Sequence, residues 1–208
     1  MSAITPQLET EKTVNSIIDG ILKFRAQIAA AAAVLLVFCA AYFLYQNHRE
    51  NVAQEAASAL FEAGQEKGAA ATRSLEKIAK DYPGTLAGYE AQMRLAEQQL
   101  NSGDVKVAIT EYQKALDSAP SKPLKAFAHY GRGYAHEKNH DYDSALKDYQ
   151  EALRFDFKSL KPELLLGLAR VSQSKGDSAK ALEYYNMIAA EFPGTPYAQF
   201  AQAHKSAK

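Results

Sequence analysis

One uninterrupted apolar stretch, residues 28–45, constrains this chain more than any other feature. It contains eighteen residues and no charged residue, proline or glycine. At a rise of about 1.5 Å per residue, a helix of this length spans roughly 27 Å, close to the roughly 30 Å hydrocarbon core of a bilayer. We therefore expect a transmembrane helix over residues 26–47, with a short segment before it and a long polar region after it.

The apolar stretch is interpreted as a retained anchor and not as a cleaved signal peptide. A signal peptide has a short basic start and an apolar core of about 7–15 residues. Here the start is longer and contains Glu11 and Asp19. A weaker alternative is lipidation of Cys39, because residues 36–39 resemble a bacterial lipobox, although Phe38 stands where such motifs carry a small residue. Cys39 is the only cysteine, so an intrachain disulfide is excluded.

The basic residues that flank the anchor predict its orientation. Lys12, Lys23 and Arg25 precede it, whereas only Arg49 follows within fifteen residues. Lys and Arg are enriched on the cytoplasmic side of membrane proteins. We therefore expect residues 1–25, which include an amphipathic helical pattern, to lie in the cytoplasm and the C-terminal region to lie outside it.

The composition excludes several classes of function. The 24 Lys and Arg residues balance 24 Asp and Glu residues, which disfavours nucleic-acid binding because that needs a basic face. The sequence contains no Ser/His/Asp set, glycine-rich phosphate loop or metalloprotease helix. We therefore predict a protein that is not an enzyme and has no cofactor, metal or small-molecule substrate.

From residue 51 onward the chain repeats itself with a period of 34–37 residues. Segments 108–116, 145–153 and 181–189 share one pattern of apolar, acidic and aromatic residues. Each follows a turn that contains an aspartate, and aspartate is a favourable N-cap. These aspartates are Asp104, Asp141 and Asp177. A fixed period of this length predicts stacked helical hairpins.

These segments resemble the tetratricopeptide repeat, a helix-turn-helix unit of about 34 residues. Its small residue in the first helix is matched by Ala96, Gly133 and Ala169. The small residue that opens the second helix is matched by Ala108, Ala145 and Ala181, and the aromatic after it by Tyr112, Tyr149 and Tyr185. Pro120 and Pro193 close their units, whereas Phe157 departs from the pattern. The resemblance implies an all-α fold.

The predicted architecture is a single N-terminal transmembrane helix followed by a tetratricopeptide-repeat α-solenoid over residues 51–206. Three hairpins are clear and one, over residues 51–84, is degenerate. In that hairpin Ser74 is expected at the aromatic position. A short helix over residues 196–206 is expected to cap the stack.

The resemblance implies that proteins or extended polypeptides bind a concave face built from the first helix of each hairpin. Eight residues are expected to form this face: Met93, Glu97, Leu100, Phe127, Tyr130, Tyr134, Leu166 and Arg170. The alternative for Phe127 and Tyr134 is a place in the core between hairpins. The Lys, Asn and Arg clamp with which related domains hold chaperone C-termini is absent, so that ligand is disfavoured.

Three histidines present a further alternative. His129, His136 and His140 are close in sequence and lie near Asp141. Histidine and carboxylate groups bind transition metals when they converge. We favour histidines without a metal, because His140 falls in a turn and the other two occupy positions where the repeat carries packing aromatics.

The order of parts resembles the bacterial ancillary SecYEG translocon subunit family, in which a short cytoplasmic start and one span precede periplasmic repeats. The resemblance implies a scaffold in the bacterial inner membrane that links the Sec translocon to periplasmic chaperones. The alternative hypothesis is a cytosol-facing, membrane-anchored repeat receptor for protein targeting or complex assembly.

Overall fold

The computed structural model describes residues 5–206, which form nine α-helices and no strand. The helices are α1 (Thr5–Ala63), α2 (Ala69–Asp81), α3 (Leu86–Ser102), α4 (Val105–Ser118), α5 (Lys122–Lys138), α6 (Tyr142–Leu153), α7 (Lys161–Ser174), α8 (Ser178–Glu191) and α9 (Pro196–Ser206). The described chain divides after Asn51 into two compact units. All-α architecture agrees with the sequence prediction.

Helix α1 contains the predicted amphipathic segment, the apolar stretch and the start of the first hairpin. The sequence boundaries expected at residues 25, 47 and 51 therefore lie inside a helix and are not helix ends. In its apolar part the large side chains are exposed, including 69% of Leu36 and 70% of Phe38. Within the described residues, this is the one helix that is long and apolar enough to cross a membrane.

The second unit is a succession of helical hairpins. Helices α3 and α4, α5 and α6, and α7 and α8 pack in pairs, and each second helix also packs on the next first helix. The end of α1 joins α2 in a first hairpin, where Ala63 is buried with Leu75 and Ile78. Helix α9 packs on α8 and thus occupies the place of the predicted capping helix.

The turns between paired helices need left-handed backbone. Gly103 and Gly176 have φ of 90° and 81°, and His140 adopts 60° at the corresponding turn. Two of the predicted aspartate caps form: Asp141 accepts from the backbone N–H of Ser144 at 3.2 Å, and Asp177 accepts from that of Lys180 at 2.9 Å. Asp104 makes no such side-chain bond.

The small residues allow the helices to cross closely, and tyrosines fill the space beside the crossings. Ala145 and Tyr149 are both fully buried. A Cβ atom added to Gly167 would lie only 2.7 Å from the ring of Tyr149. Gly131 accommodates the ring of Tyr112 in the same way. Glycine two residues before the small residue of a first helix therefore receives the tyrosine of the preceding hairpin.

The first hairpin differs from the prediction in one position. Leu75 is 4% exposed and packs in the core, whereas Ser74 is half-buried and donates its hydroxyl hydrogen to Glu66. A shift of 37 residues aligns Leu75 with Tyr112. The aromatic position is therefore held by Leu75, and the assignment of Ser74 was wrong by one residue because the missing aromatic left the register undetermined.

Candidate binding surface on the first helices of the hairpins

Helices α3, α5 and α7 are the first helices of three consecutive hairpins, and their small residues turn toward the paired second helices. Ala96, Gly133 and Ala169 are all buried. The predicted binding residues lie elsewhere on the same three helices. We call the surface that carries them the first-helix face, and it comprises Met93, Glu97, Leu100, Phe127, Tyr130, Tyr134, Glu137, Glu163, Leu166 and Arg170.

A bidentate ion pair joins α5 to α7 on this face. Arg170 donates from Nε and Nη2 to the two carboxylate oxygens of Glu137, each at 2.9 Å. The Tyr149 hydroxyl donates to the same carboxylate at 2.8 Å. Burial by itself would lower the pKa of Arg170, but Glu137 raises it above its ordinary value. The guanidinium is thus permanently charged and held in one orientation.

Two tyrosines of α5 lie beside this ion pair. Tyr130 is half-buried with its ring 6.0 Å from that of Tyr149, and burial, followed by the charge of Glu163, raises its pKa. Tyr134 is half-buried, and the Lys138 ammonium lies 5.1 Å from its ring centre. Both rings therefore combine packed and accessible surface.

Two of the predicted residues face the interior. Phe127 makes an edge-to-face contact with Phe157, with ring centres 5.2 Å apart, and packs against the core of the last hairpins. Leu166 is 9% exposed and belongs to that core. The side chain of Phe157, which departs from the proline of the repeat pattern, thus contacts the first helix of its own hairpin.

Helix α3 extends the face with a different balance of groups. Met93 and Leu100 are half-buried and pack beside the buried Tyr112 cluster. Glu97 is exposed. Burial first, and the charge of Glu97 second, raise the pKa of both Tyr89 and Tyr112. An accessible carboxylate therefore lies close to the buried tyrosines at this end.

The sequence did not predict a polar cluster on the opposite side of α5. The carboxylate of Asp148, 3% exposed, accepts from Arg132 Nε at 2.8 Å and Nη2 at 2.5 Å and lies 2.9 Å from His129 Nδ1. Burial would raise the pKa of Asp148, but the bonds to His129 and Arg132 hold it below its ordinary value. The available signal was the acidic residue directly before the repeat tyrosine, which is Glu111 in one hairpin and Asp148 in the next.

The three histidines considered as metal ligands have different surroundings. His129 contacts Asp148, and His136 lies with Nδ1 3.3 Å from Asp141 and Nε2 3.8 Å from Asp148. His140 contacts the hydroxyl of Tyr142 at 3.1 Å in an exposed turn. Among residues 5–206, no group of three or more His, Cys, Asp or Glu side chains is arranged to hold a metal ion.

The sequence matches known repeat families over most of its length. A model described as a tetratricopeptide repeat-like domain matches residues 23–167, and a tetratricopeptide repeat model matches residues 163–195. Two crystal structures of MamA have a similar fold, with TM-scores of 0.51 and 0.50. They are 22% and 19% identical, and the matches cover 65% and 76% of this chain and 77% and 81% of the MamA chains.

Curated relatives match a shorter region. The photosystem I assembly protein Ycf3 of a Prochlorococcus marinus strain is 32% identical over 77 residues, which are 36% of this chain and 44% of that protein. The protein of the same name from Cyanophora paradoxa is 36% identical over 78 residues, which are 37% and 45% of the two chains. This chain thus spans under half the length of these relatives.

Proposed function

Because this chain belongs to the tetratricopeptide repeat-like domain family, we propose that it is a non-enzymatic, membrane-anchored adaptor that binds polypeptide partners on its first-helix face. The observation that carries the proposal is the Arg170–Glu137 pair flanked by the half-buried Tyr130 and Tyr134. Tyrosine and arginine are enriched among the residues that contribute most to protein interfaces.

The arrangement suits a partly apolar segment with polar groups along its backbone. Tyr130 and Tyr134 offer apolar ring surface next to hydroxyl groups, and they lose little conformational entropy on binding because they are already packed. Arg170 is held in place by Glu137. We propose that all eight predicted residues contribute, with Phe127 and Leu166 supporting the surface from the core.

The proposal for the remaining chain is a cytoplasmic segment over residues 1–25, a bacterial inner-membrane span over 26–47 and a periplasmic repeat domain over 51–206. The length and apolar composition of the span support the anchor. The excess of basic residues before it supports the orientation. In this arrangement the partners are the SecYEG translocon and periplasmic chaperones, and the adaptor brings emerging polypeptides to those chaperones.

A second candidate places the repeats in the cytosol, where they assist the assembly of a membrane complex. The similarity to curated proteins named for photosystem I assembly favours it. The two candidates share the binding face and differ in the compartment that it faces.

Orientation is tested by fusing alkaline phosphatase, which is active only outside the cytoplasm, or a cytoplasmically active fluorescent protein after Lys208. Phosphatase activity with a dark fluorescent fusion is expected. The reverse pattern would reject the periplasmic adaptor and favour the assembly receptor.

The binding face is tested in the full-length membrane protein with a photo-crosslinking residue at Tyr134. A matched control carries the same group at Lys147, a residue of α6 on the second-helix side. Crosslinks to translocon subunits, chaperones or a secretory chain trapped in transit are expected from position 134 only. If position 147 captured these partners and position 134 did not, binding would occur on the second helices and the proposed face would be wrong.

A further inference from the structure

A groove lies on the second-helix side of the hairpins, between α2 and α4, with α3 as its floor. Its volume is about 480 Å³. The lining residues are Glu76, Ala79, Lys80, Gln92, Leu95, Gln99, Glu111, Lys114 and Ser118. It shares none of these residues with the first-helix face, so its role is separate from that of the proposed adaptor surface.

The neighbouring interval, between α4 and α6, shows how the chain fills an equivalent place. A shift of 37 residues aligns Ala108 with Ala145. The same shift aligns each residue that lines the groove with a residue at the α4–α6 interval. The aligned pairs include Glu76 with Gln113, Gln92 with His129, Leu95 with Arg132, and Glu111 with Asp148. Lys80 and Lys114 of the groove align with Asp117 and Glu151. Repeats stack in similar ways, so aligned residues occupy similar positions.

In the α4–α6 interval an arginine bridges the neighbouring second helices. Arg132 donates two hydrogen bonds to Asp148 on α6 and one to the side-chain oxygen of Gln113 on α4. Its side chain is 19% exposed. The guanidinium thus fills the interval and satisfies a buried carboxylate.

The α2–α4 groove retains the acceptors but lacks the arginine. Glu111 accepts from Gln92 at 2.5 Å and from Lys114 at 2.8 Å, and its side chain is 17% exposed. Leu95, which takes the place of the arginine, carries no donor and leaves the interval open. Glu76, a carboxylate, stands where the next interval has the amide of Gln113.

We propose that the α2–α4 groove is a docking site for an arginine side chain of a protein partner. The guanidinium lies between Glu111 and Glu76, as that of Arg132 lies between Asp148 and Gln113. Arginine fits better than lysine because its planar group donates to two acceptors at once. Two lysines also line the groove, Lys80 and Lys114. Neither blocks entry, because both side chains are exposed and turn to solvent at little cost.

The test uses the full-length protein in detergent micelles, with its leucine methyl groups labelled for NMR. The probe is the tripeptide acetyl-Ala-Arg-Ala-amide, and the control is its citrulline counterpart, which has the same shape without the charge. A saturable shift of the Leu95 methyl signals is expected, with a Kd of about 10 mM for one side chain. The citrulline peptide is expected to bind at least about tenfold more weakly, because the charge-assisted bond is lost.

Three variants locate the binding. Glu111→Gln and Glu76→Gln should each weaken binding of the arginine peptide several-fold. Glu183→Gln should leave binding unchanged, because Glu183 lies on α8, which does not line the groove. It is a matched control, since it is also a glutamate that pairs with a nearby lysine. The methyl signals of Leu164, Leu165 and Leu168, all buried away from the groove, report whether each variant is folded.

The proposal is overturned if Leu95 shows no saturable shift, or if the two peptides shift it equally. It is also overturned if folded Glu111→Gln and Glu76→Gln bind the arginine peptide like the unmodified chain. Crosslinking at Tyr134 is unaffected by any of these outcomes, so failure here leaves the adaptor proposal standing.

Discussion

The hairpins α3–α4 and α5–α6 are related by a constant shift of 37 residues, yet they use their polar crossing positions differently. In α5–α6, the nearly buried Asp148 is paired with Arg132 and His129. In α3–α4, Glu111 is more exposed and pairs with Gln92 and with the solvated Lys114.

The comparison shows how one side chain changes a repeat. Arg132 forms hydrogen bonds with side chains of both neighbouring second helices, α4 and α6. Leu95 packs in the core of the first hairpin and forms no such bond with Glu76 or Glu111. The longer residue makes a charged link at the crossing, and the shorter one leaves a groove. Similar backbones therefore provide an open surface at α3–α4 and a stabilising network at α5–α6.

The largest expected difference concerns the two acidic residues. Asp148→Asn should lower the free energy of unfolding by about 3 kcal/mol, because it leaves the half-buried Arg132 charge without its partner. Glu111→Gln should cost less than about 1 kcal/mol, because the charge that loses its partner is that of Lys114, which is 56% exposed and stays solvated. Urea unfolding of the full chain in detergent, followed by tyrosine near-UV circular dichroism, measures both. Equal costs would show that the two networks are equivalent.

The glycines that receive tyrosine rings should give similar effects in both hairpins. Gly131→Ala and Gly167→Ala should each destabilise by about 1–3 kcal/mol, since the added methyl group overlaps the ring of Tyr112 or Tyr149. The overlap with the ring must therefore outweigh the gain of about 1 kcal/mol in helix propensity that alanine has over glycine.

A double-mutant cycle separates the two contributions. Adding Tyr149→Leu to Gly167→Ala removes the overlap, so the combined loss should be smaller than the sum of the single losses. Additive losses would mean that the methyl group does not meet the ring.

Acid should lower the free energy of unfolding, because protonation of Asp148 removes its ion pair between α5 and α6. Its pKa is lower in the folded chain than in the unfolded chain, so its contribution is complete above the unfolded value of about 3.9 and is lost as the pH falls through the folded value. The slope reaches at most about 1.4 kcal/mol per pH unit.

Unfolding of the unmodified chain and of Asp148→Asn, measured from pH 7 to about pH 2, tests this sign. The difference between them should shrink in acid, as the pH falls through the folded pKa of Asp148. A difference that stays constant to the lowest pH would contradict the ion pair as its source.

The smallest expected difference lies in the turns. His140 adopts a left-handed backbone, with φ of 60°, where α3–α4 has Gly103. His140→Gly should stabilise the protein by about 1 kcal/mol, and Gly103→Ala should destabilise it by a similar amount, because L side chains disfavour this conformation. Thermal unfolding checks the opposite signs. If both changes destabilised, the contact between His140 and Tyr142 would outweigh the backbone strain.

Much of the fold was predictable from short sequence patterns. Ala145 and Tyr149 are buried as the repeat pattern indicates. The three repeated segments, 108–116, 145–153 and 181–189, lie within α4, α6 and α8. The degenerate hairpin was less predictable because it lacks the aromatic residue, so Ser74 was assigned in place of Leu75. Of the candidate binding residues, Leu166 shows the limit: its side chain is buried, and spacing along one helix does not reveal what the next hairpin covers.

The sequence by itself determined the helices of the three clear hairpins, their pairing and the presence of one long apolar span, because hydrophobic periodicity, small residues and charge-free length act over one or two helices. Only the tertiary structure decided which polar groups meet across hairpins. Arg132 reaches Asp148 and Gln113 because three separate helices converge there. Leu95 leaves the equivalent place open because its side chain is too short and carries no donor. Such contacts depend on how neighbouring hairpins stack, which no single repeat encodes.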